Sequence, residues 1–144
     1  MILHLVAQKA FPEWNKQSIN ERDIRRVCKK KGVRIVEGDV GREGLYIIYR
    51  GIPFIVIHPG LSGPMRLWVL LHELFHHLLH VPGLQLFDSR FKTKADYEAN
   101  LLAAVSLIPL YMVKTKTFAE LEEDFGFPKE LLWIRKEVYE RYGF

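Results

Sequence analysis

The stretch LWVLLHELFHHLLH, Leu67 to His80, constrains the fold of this chain more than any other. Leu67, Leu70, Leu71, Leu74 and Leu78 recur at steps of three and four, which predicts a helix with one apolar stripe. His72 and His76 stand four apart on the side away from that stripe. A helix therefore brings both imidazoles to one face, where they can hold one metal ion between them. Glu73 lies one step round, close enough to take a proton from a water on that ion. Together they spell H-E-x-x-H. Pro64 suits the first turn of the helix, and Pro82-Gly83 suits its end. A core helix with hydrogen-bonded imidazoles is the competing reading. It must find partners for three polar groups inside a leucine-rich segment, where an unpaired charge is costly to bury.

The rest of the chain bounds the setting. Its 144 residues suit one domain with a sizeable core, and 49% apolar with 26% charged residues is globular composition rather than disorder. A net charge of +4 permits acidic partners without demanding nucleic acid. Cys28 is the only cysteine, which excludes an internal disulfide and points to a reducing, cytoplasmic home. Met1 to Ala10 has no basic region followed by a long apolar core, so no signal peptide is expected. The longest mostly apolar run, Leu101 to Val113, is too short for a bilayer and contains Pro109, so no membrane partner is expected.

Along the chain, Met1 to Gln17 reads as an irregular or short helical lead-in that packs the aromatic pair Phe11 and Trp14. Ser18-Ile19-Asn20-Glu21 has capping-box spacing and predicts a helix from about Ile19 to Lys31, stopped at Gly32. Arg22, Arg25, Arg26, Lys29 and Lys30 on that helix read as a solvated face. No aromatic interleaving or recognition motif accompanies them, which argues against direct nucleic-acid contact. Three strands follow, Val33–Glu37, Leu45–Arg50 and Pro53–His58, with a tight hairpin at Arg50-Gly51-Ile52-Pro53. Val81 to Lys92 reads as a loop carrying Leu84, Leu86 and Phe87. Thr93 with Asp96 predicts the cap of a helix running to about Ile108 and ending near Pro109. Thr117 caps another helix stopped at Gly126, and Pro128 opens the last, through about Tyr142. The fold class is α+β: a small three-stranded antiparallel sheet packed on the H-E-x-x-H helix, with a helical C-terminal half.

Two histidines call for one more protein ligand at a catalytic zinc. Leu101, Leu102 and Val105 form an inward stripe, and Glu98 falls on it at three- and four-residue spacing. A carboxylate there needs a cation. Glu98 is thus the expected third ligand, with Asp96, nearer the polar side, second. His80 could pair with His76 on a metal, but that leaves His72 and Glu73 without a purpose, so His80 reads as a polar residue near the site. His77 reads as a surface or hydrogen-bonding residue. The longer pattern H-E-x-x-H-x-x-G-x-x-H fails, because Leu79 and Pro82 stand at its glycine and third histidine.

HELFHHLLH, followed by DYEANLLAAVSLIP and preceded by GLYIIYRGIPFIVIHPGL, resembles the ImmA/IrrE family of zinc metallopeptidases over about Ile19 to Pro109. The resemblance implies a gluzincin-like core with His72, His76 and Glu98 as zinc ligands and Glu73 as general base. It also implies a site-specific protease that cleaves a helix-turn-helix repressor and so relieves repression. At this length the chain is expected to be a stand-alone catalytic core, a single metallopeptidase domain over residues 1–144. His58 stands where a smaller polar residue is expected.

The expected reaction is metal-assisted amide hydrolysis, with His80, Tyr97 and Tyr111 as candidates to stabilise the oxyanion. Manganese fits two nitrogens and one oxygen as well as zinc does. Substrate is expected as an extended segment paired on Pro53–His58, through Ile55 and Ile57, and read by Leu84, Leu86 and Phe87. Two other readings compete: a non-catalytic metal-binding regulator that sequesters a repressor, and a DNA-associated regulator using the basic first helix.

Overall fold

The computed structural model describes residues 2–79 and 89–144. In chain order these form helices α1 (Leu3–Ala10) and α2 (Glu21–Lys31), strands β1 (Arg34–Glu37), β2 (Gly44–Tyr49) and β3 (Ile52–Ile57), and helices α3 (Gly63–Leu79), α4 (Ser89–Leu107), α5 (Leu110–Thr115), α6 (Phe118–Glu123) and α7 (Lys129–Tyr142). The class is α+β with one three-stranded sheet.

The lead-in is a helix whose exit packs two aromatics separately. Phe11 meets Phe75 of α3 edge-on at 6.1 Å, and Trp14 meets Phe144 at 5.6 Å. The Trp14 Nε1–H also donates to the Leu102 carbonyl, so this buried ring has its polar edge satisfied. The capping box of α2 lies two residues beyond the expected window. Asn20 Oδ1 accepts the Asp23 N–H, and the Asp23 carboxylate accepts the Asn20 N–H. Ser18 is used elsewhere: its hydroxyl donates to the Leu107 carbonyl at 2.7 Å and ties the chain to the end of α4. Gly32, at φ 72°, closes α2 as expected.

The sheet departs from the expected pairing. β2 and β3 form the anticipated antiparallel hairpin, with Arg50 and Gly51 at φ 51° and 77° in a two-residue turn. β1, however, pairs with β3 in parallel, so the order is β1-β3-β2 and the sheet is mixed. β3 is therefore the central strand, not an edge. Its sequence, IPFIVI, accounts for this, because an unbroken apolar run is best buried on both faces with a neighbour on each side. The register sets Gly44 beside Ile57 and Tyr46 beside Ile55, so these four share the face that meets α3.

α3 lies between the sheet and α4, with Leu70, Leu71, Leu74 and Phe75 fully buried. α4 begins at Ser89, which places Thr93 inside the helix rather than at its cap. Pro109 both follows α4 and starts the short α5, a helix the sequence reading lacked. Thr117 with Glu120 caps α6, and Pro128 opens α7, as expected.

Arg66, in the first turn of α3, donates to Glu21 at 2.8 Å and lies 3.2 Å from Glu37, fastening α2 and β1 to the metal-motif helix. The hydrogen bond from Arg66 holds the Glu21 carboxyl below its ordinary pKa. Partial burial opposes this, and Arg25 adds to it. A carboxyl with a lowered folded pKa adds stability above its unfolded pKa, and that stability is lost as pH falls through the folded value. The gap in melting temperature between wild type and Arg66→Gln should thus narrow from about pH 7 to about pH 3. A gap that stays constant across a thermal-melt pH series would refute the assignment.

Candidate metal centre

α3 and α4 build the centre between them, each from a pair of residues one turn apart. On α3, His72 Nε2 and His76 Nε2 lie 3.0 Å from each other, with the rings edge to face. On α4, Asp96 Oδ1 lies 2.8 Å from His76 Nε2 and 3.3 Å from His72 Nε2. One turn further, Asn100 Oδ1 lies 2.8 Å from His72 Nδ1 and accepts the Trp68 Nε1–H at 3.1 Å. An indole N–H can only donate, so the Asn100 atom facing it is the oxygen. His72 Nδ1, facing that same oxygen, must then carry the ring proton. The Nε2 of His72 is left with a lone pair in the space it shares with His76 and Asp96.

The acid that meets the histidines is thus Asp96 and not Glu98. Two residues along a helix is a rotation of about 200°, so with Asp96 facing α3 the Glu98 side chain, half-buried, faces elsewhere. α4 has no single inward stripe. Every residue from Leu101 to Pro109 is buried, so membership of an apolar face does not say which neighbour that face meets. The pair Asp96 and Asn100, four apart at the start of this buried stretch, mirrors His72 and His76 and is the signal that locates the right face. Asn100, Trp68 and Gly44 had no assigned role in the sequence reading.

The electrostatics agree with the geometry. Burial alone would lower the pKa of His72, but the hydrogen bond with Asp96 and the charges of Glu73 and Asp96 outweigh it and raise the value. Burial would raise the pKa of Asp96, but both histidines outweigh it and lower the value. The cluster is therefore built to stabilise positive charge where the three donors converge. Two imidazole nitrogens and one carboxylate oxygen fit a divalent metal with room for a further ligand. Donor atoms of His72, Glu73 and His76 all lie within 4.8 Å of one another. Asn100→Ala should lower metal affinity about 10–100-fold by freeing the His72 ring, with competition against a chromogenic chelator as the readout. Unchanged affinity would show that Asn100 does not orient the ligand.

Glu73 is only 5% exposed. It borders a cleft of about 430 Å³ whose other walls include Arg42, Glu43, Met65, Trp68 and His72. The backbone of β2 closes in on it at Gly44. A Cβ at that position would lie 2.4 Å from Val69 Cγ1 and 3.6 Å from Glu73 Oε2, so only glycine lets the strand pass this close to α3. Gly44→Ala should cost about 1–3 kcal/mol of stability by overpacking, read from denaturant midpoints. A stability equal to wild type would mean that the strand and helix separate freely.

The remaining candidates divide. Ile55 and Ile57 are fully buried on the central strand and are core residues, out of reach of a bound peptide. Tyr97 accepts a hydrogen bond from Arg141 Nη1 at 3.2 Å, and Tyr111 on α5 is 54% exposed; neither lines the cleft. His77 is hydrogen-bonded, its Nδ1 lying 2.7 Å from the Tyr46 hydroxyl. His80, Pro82, Gly83, Leu84, Leu86 and Phe87 lie outside the described residues.

Among the described residues, no helix is long and apolar enough to cross a membrane. The chain matches no curated protein and no solved structure. The family model for the IrrE N-terminal-like domain matches residues 28–136, which hold the sheet, the H-E-x-x-H helix and the helix carrying Asp96 and Asn100. With the paired histidines and the buried glutamate in the positions a metal-dependent hydrolase requires, the chain belongs to this Peptidase_M78 family, which gives it a metallopeptidase-like function, a divalent metal and protein substrates.

Proposed function

We propose that the chain is a zinc-dependent endopeptidase that binds an extended segment of a helix-turn-helix transcriptional repressor and hydrolyses one peptide bond in it. The observation that carries the reading is the placement of Glu73: a buried carboxylate beside the converged donors of His72 and His76, opening on a cleft large enough for a peptide. His72, His76 and Asp96 would hold the ion. Zinc suits this set, and manganese fits the same donors. When bound, the ion supplies a Lewis acid that polarises the scissile carbonyl and renders water more acidic.

The protein's own residues do the rest. Glu73 accepts a proton from the attacking water as its oxygen bonds to the carbonyl carbon. It then delivers that proton to the amine nitrogen as the C–N bond breaks. Asn100 and Trp68 hold the His72 ring in one tautomer, so its Nε2 stays available throughout. Asp96 balances the charge that gathers at the two imidazoles.

Substrate position follows from the sheet. β3 has partners on both sides and offers no free backbone, whereas β2 pairs with β3 alone among the described strands. Gly44, the first residue of β2, lines the cleft next to Glu73, with Arg42 and Glu43 just before it. An extended segment hydrogen-bonded to the outer edge of β2 would therefore lie across Glu73 without any side chain being read. The repressor as substrate rests on the resemblance of HELFHHLLH and DYEANLLAAVSLIP to anti-repressor proteases.

The test is direct incubation of the zinc-loaded protein with purified helix-turn-helix repressors, with cleavage read by mass spectrometry. A single new N-terminus, abolished by chelation and restored by zinc, is expected. Stoichiometric complex formation with intact repressor would replace the enzyme with a sequestering regulator. Tight, salt-dependent duplex DNA binding without cleavage would replace it with a DNA-associated one.

A further inference from the structure

A second concavity lies wholly on α5, α6, α7 and the turns between them, sharing no residue with the metal centre. It is a groove of about 390 Å³. Its walls are apolar, made by Val113, Phe118, Leu121, Leu132 and Tyr139. Its charged residues are unbalanced. Lys116, Arg135 and Lys136 face one acid, Glu140, which stands 3.8 Å from Lys136 and is taken up by it.

Arg135 is the unusual member. It is 1% exposed, and its partners are main-chain oxygens of Ile108 and Phe144 and the side-chain oxygen of Asn15. Among the described residues its Nη1 has no hydrogen-bond partner. Burial pulls its pKa down to about 10. A buried cation with an unmet donor is costly unless something else completes it. The rim adds affinity for a ligand with a flat or apolar body. Trp133 is 61% exposed and packs edge-on against Phe118, with the Lys136 ammonium 5.4 Å above the indole. Exposed indole beside a cation is the composition of binding surfaces rather than of solvated helix faces.

We propose that this groove binds a small amphipathic carboxylate, an aliphatic or aryl-substituted monocarboxylic acid, with its apolar body between Val113, Leu121 and Leu132 and its carboxylate drawn to Arg135 and Lys116. A buried guanidinium with an unmet Nη1 donor, beside the Lys116 ammonium, suits a monoanion, and apolar walls suit a hydrocarbon body. A phosphate needs more converging donors than these walls supply.

The probes are octanoate and 3-phenylpropanoate, each compared with its primary amide on the zinc-loaded full chain by calorimetry and by the indole N–H resonances. The carboxylates should bind with the amides about tenfold weaker or worse, because the amide loses the charge-assisted contact. The Trp133 resonance should move while those of Trp14 and Trp68 stay. Lys116→Glu should weaken octanoate about tenfold, and Val113→Trp should fill the groove and abolish binding. Both should keep wild-type zinc content and melting temperature. Arg135→Lys should also weaken binding, and if that variant fails to fold, the two rim variants still decide. Equal binding of acid and amide, no binding of either acid at about 5 mM, or wild-type binding by Val113→Trp overturns the proposal. A shift at Trp68 in place of Trp133 places the acid at the metal centre and overturns it equally.

Discussion

Glu73→Gln should fold and take up metal like the wild type while cleaving its substrate about 10²–10⁴-fold more slowly, the usual worth of a general base. The amide matches the carboxylate in shape, so the tight space under Gly44 and Val69 is filled as before. The metal donors stay in place, because His72, His76 and Asp96 hold one another directly, although His72 loses the charge of Glu73. What is lost is a group that can take a proton and return it. Elemental analysis, melting temperature and single-turnover cleavage separate these effects. Loss of metal together with loss of activity would make Glu73 a ligand rather than a base. Full activity would move the base to another residue, and Glu43, the other acid lining the cleft, would be examined first.

The sequence was most legible where one local pattern implied one physical requirement. The i, i+4 histidines of α3 needed only helical geometry to share a face, and the structure sets their Nε2 atoms 3.0 Å apart. Thr117 with Glu120, Pro128 and Gly32 mark helix ends through their own backbone chemistry, and they fall where that chemistry puts them. Legibility fell off where the outcome depended on a distant partner. Ser18 has capping spacing, but the Leu107 carbonyl, far along the chain, claims its hydroxyl, and Asn20 becomes the cap. Thr93 and Asp96 also have capping spacing, yet the Asp96 carboxylate is held by two histidines on another helix.

The sheet shows the same division. The Arg50-Gly51 turn is local and dictates antiparallel β2–β3 pairing. Where β1 docks depends on which edge of β3 is left, and that is settled by burial of the whole hairpin against α3. The unbroken apolar run of β3 carried the hint, since an edge strand half in water would alternate. The consequence reaches function, because the free backbone beside Glu73 belongs to β2.

The third ligand gives the second large expected effect. Asp96→Asn should weaken zinc binding at least about 100-fold, above the range seen for residues that only orient a ligand, whereas Glu98→Gln should leave it unchanged. Both substitutions keep side-chain volume and remove one charge, so the comparison isolates position on the helix. Asp96 Oδ1 already sits within 3.3 Å of both Nε2 atoms, and an amide there would present either a weaker donor atom or an N–H that repels a cation. Glu98 is turned about 200° from Asp96 on the same helix, and bringing it to the histidines would require α4 to rotate about its axis. That rotation would force Leu101, Leu102 and Val105, which are fully buried, to repack and would pull Asn100 from Trp68 and His72. Chelator competition on the two variants measures the outcome directly. If Glu98→Gln lost zinc and Asp96→Asn kept it, α4 would have to be turned in the metal-loaded protein, and the Asn100 contact with His72 would fall with it.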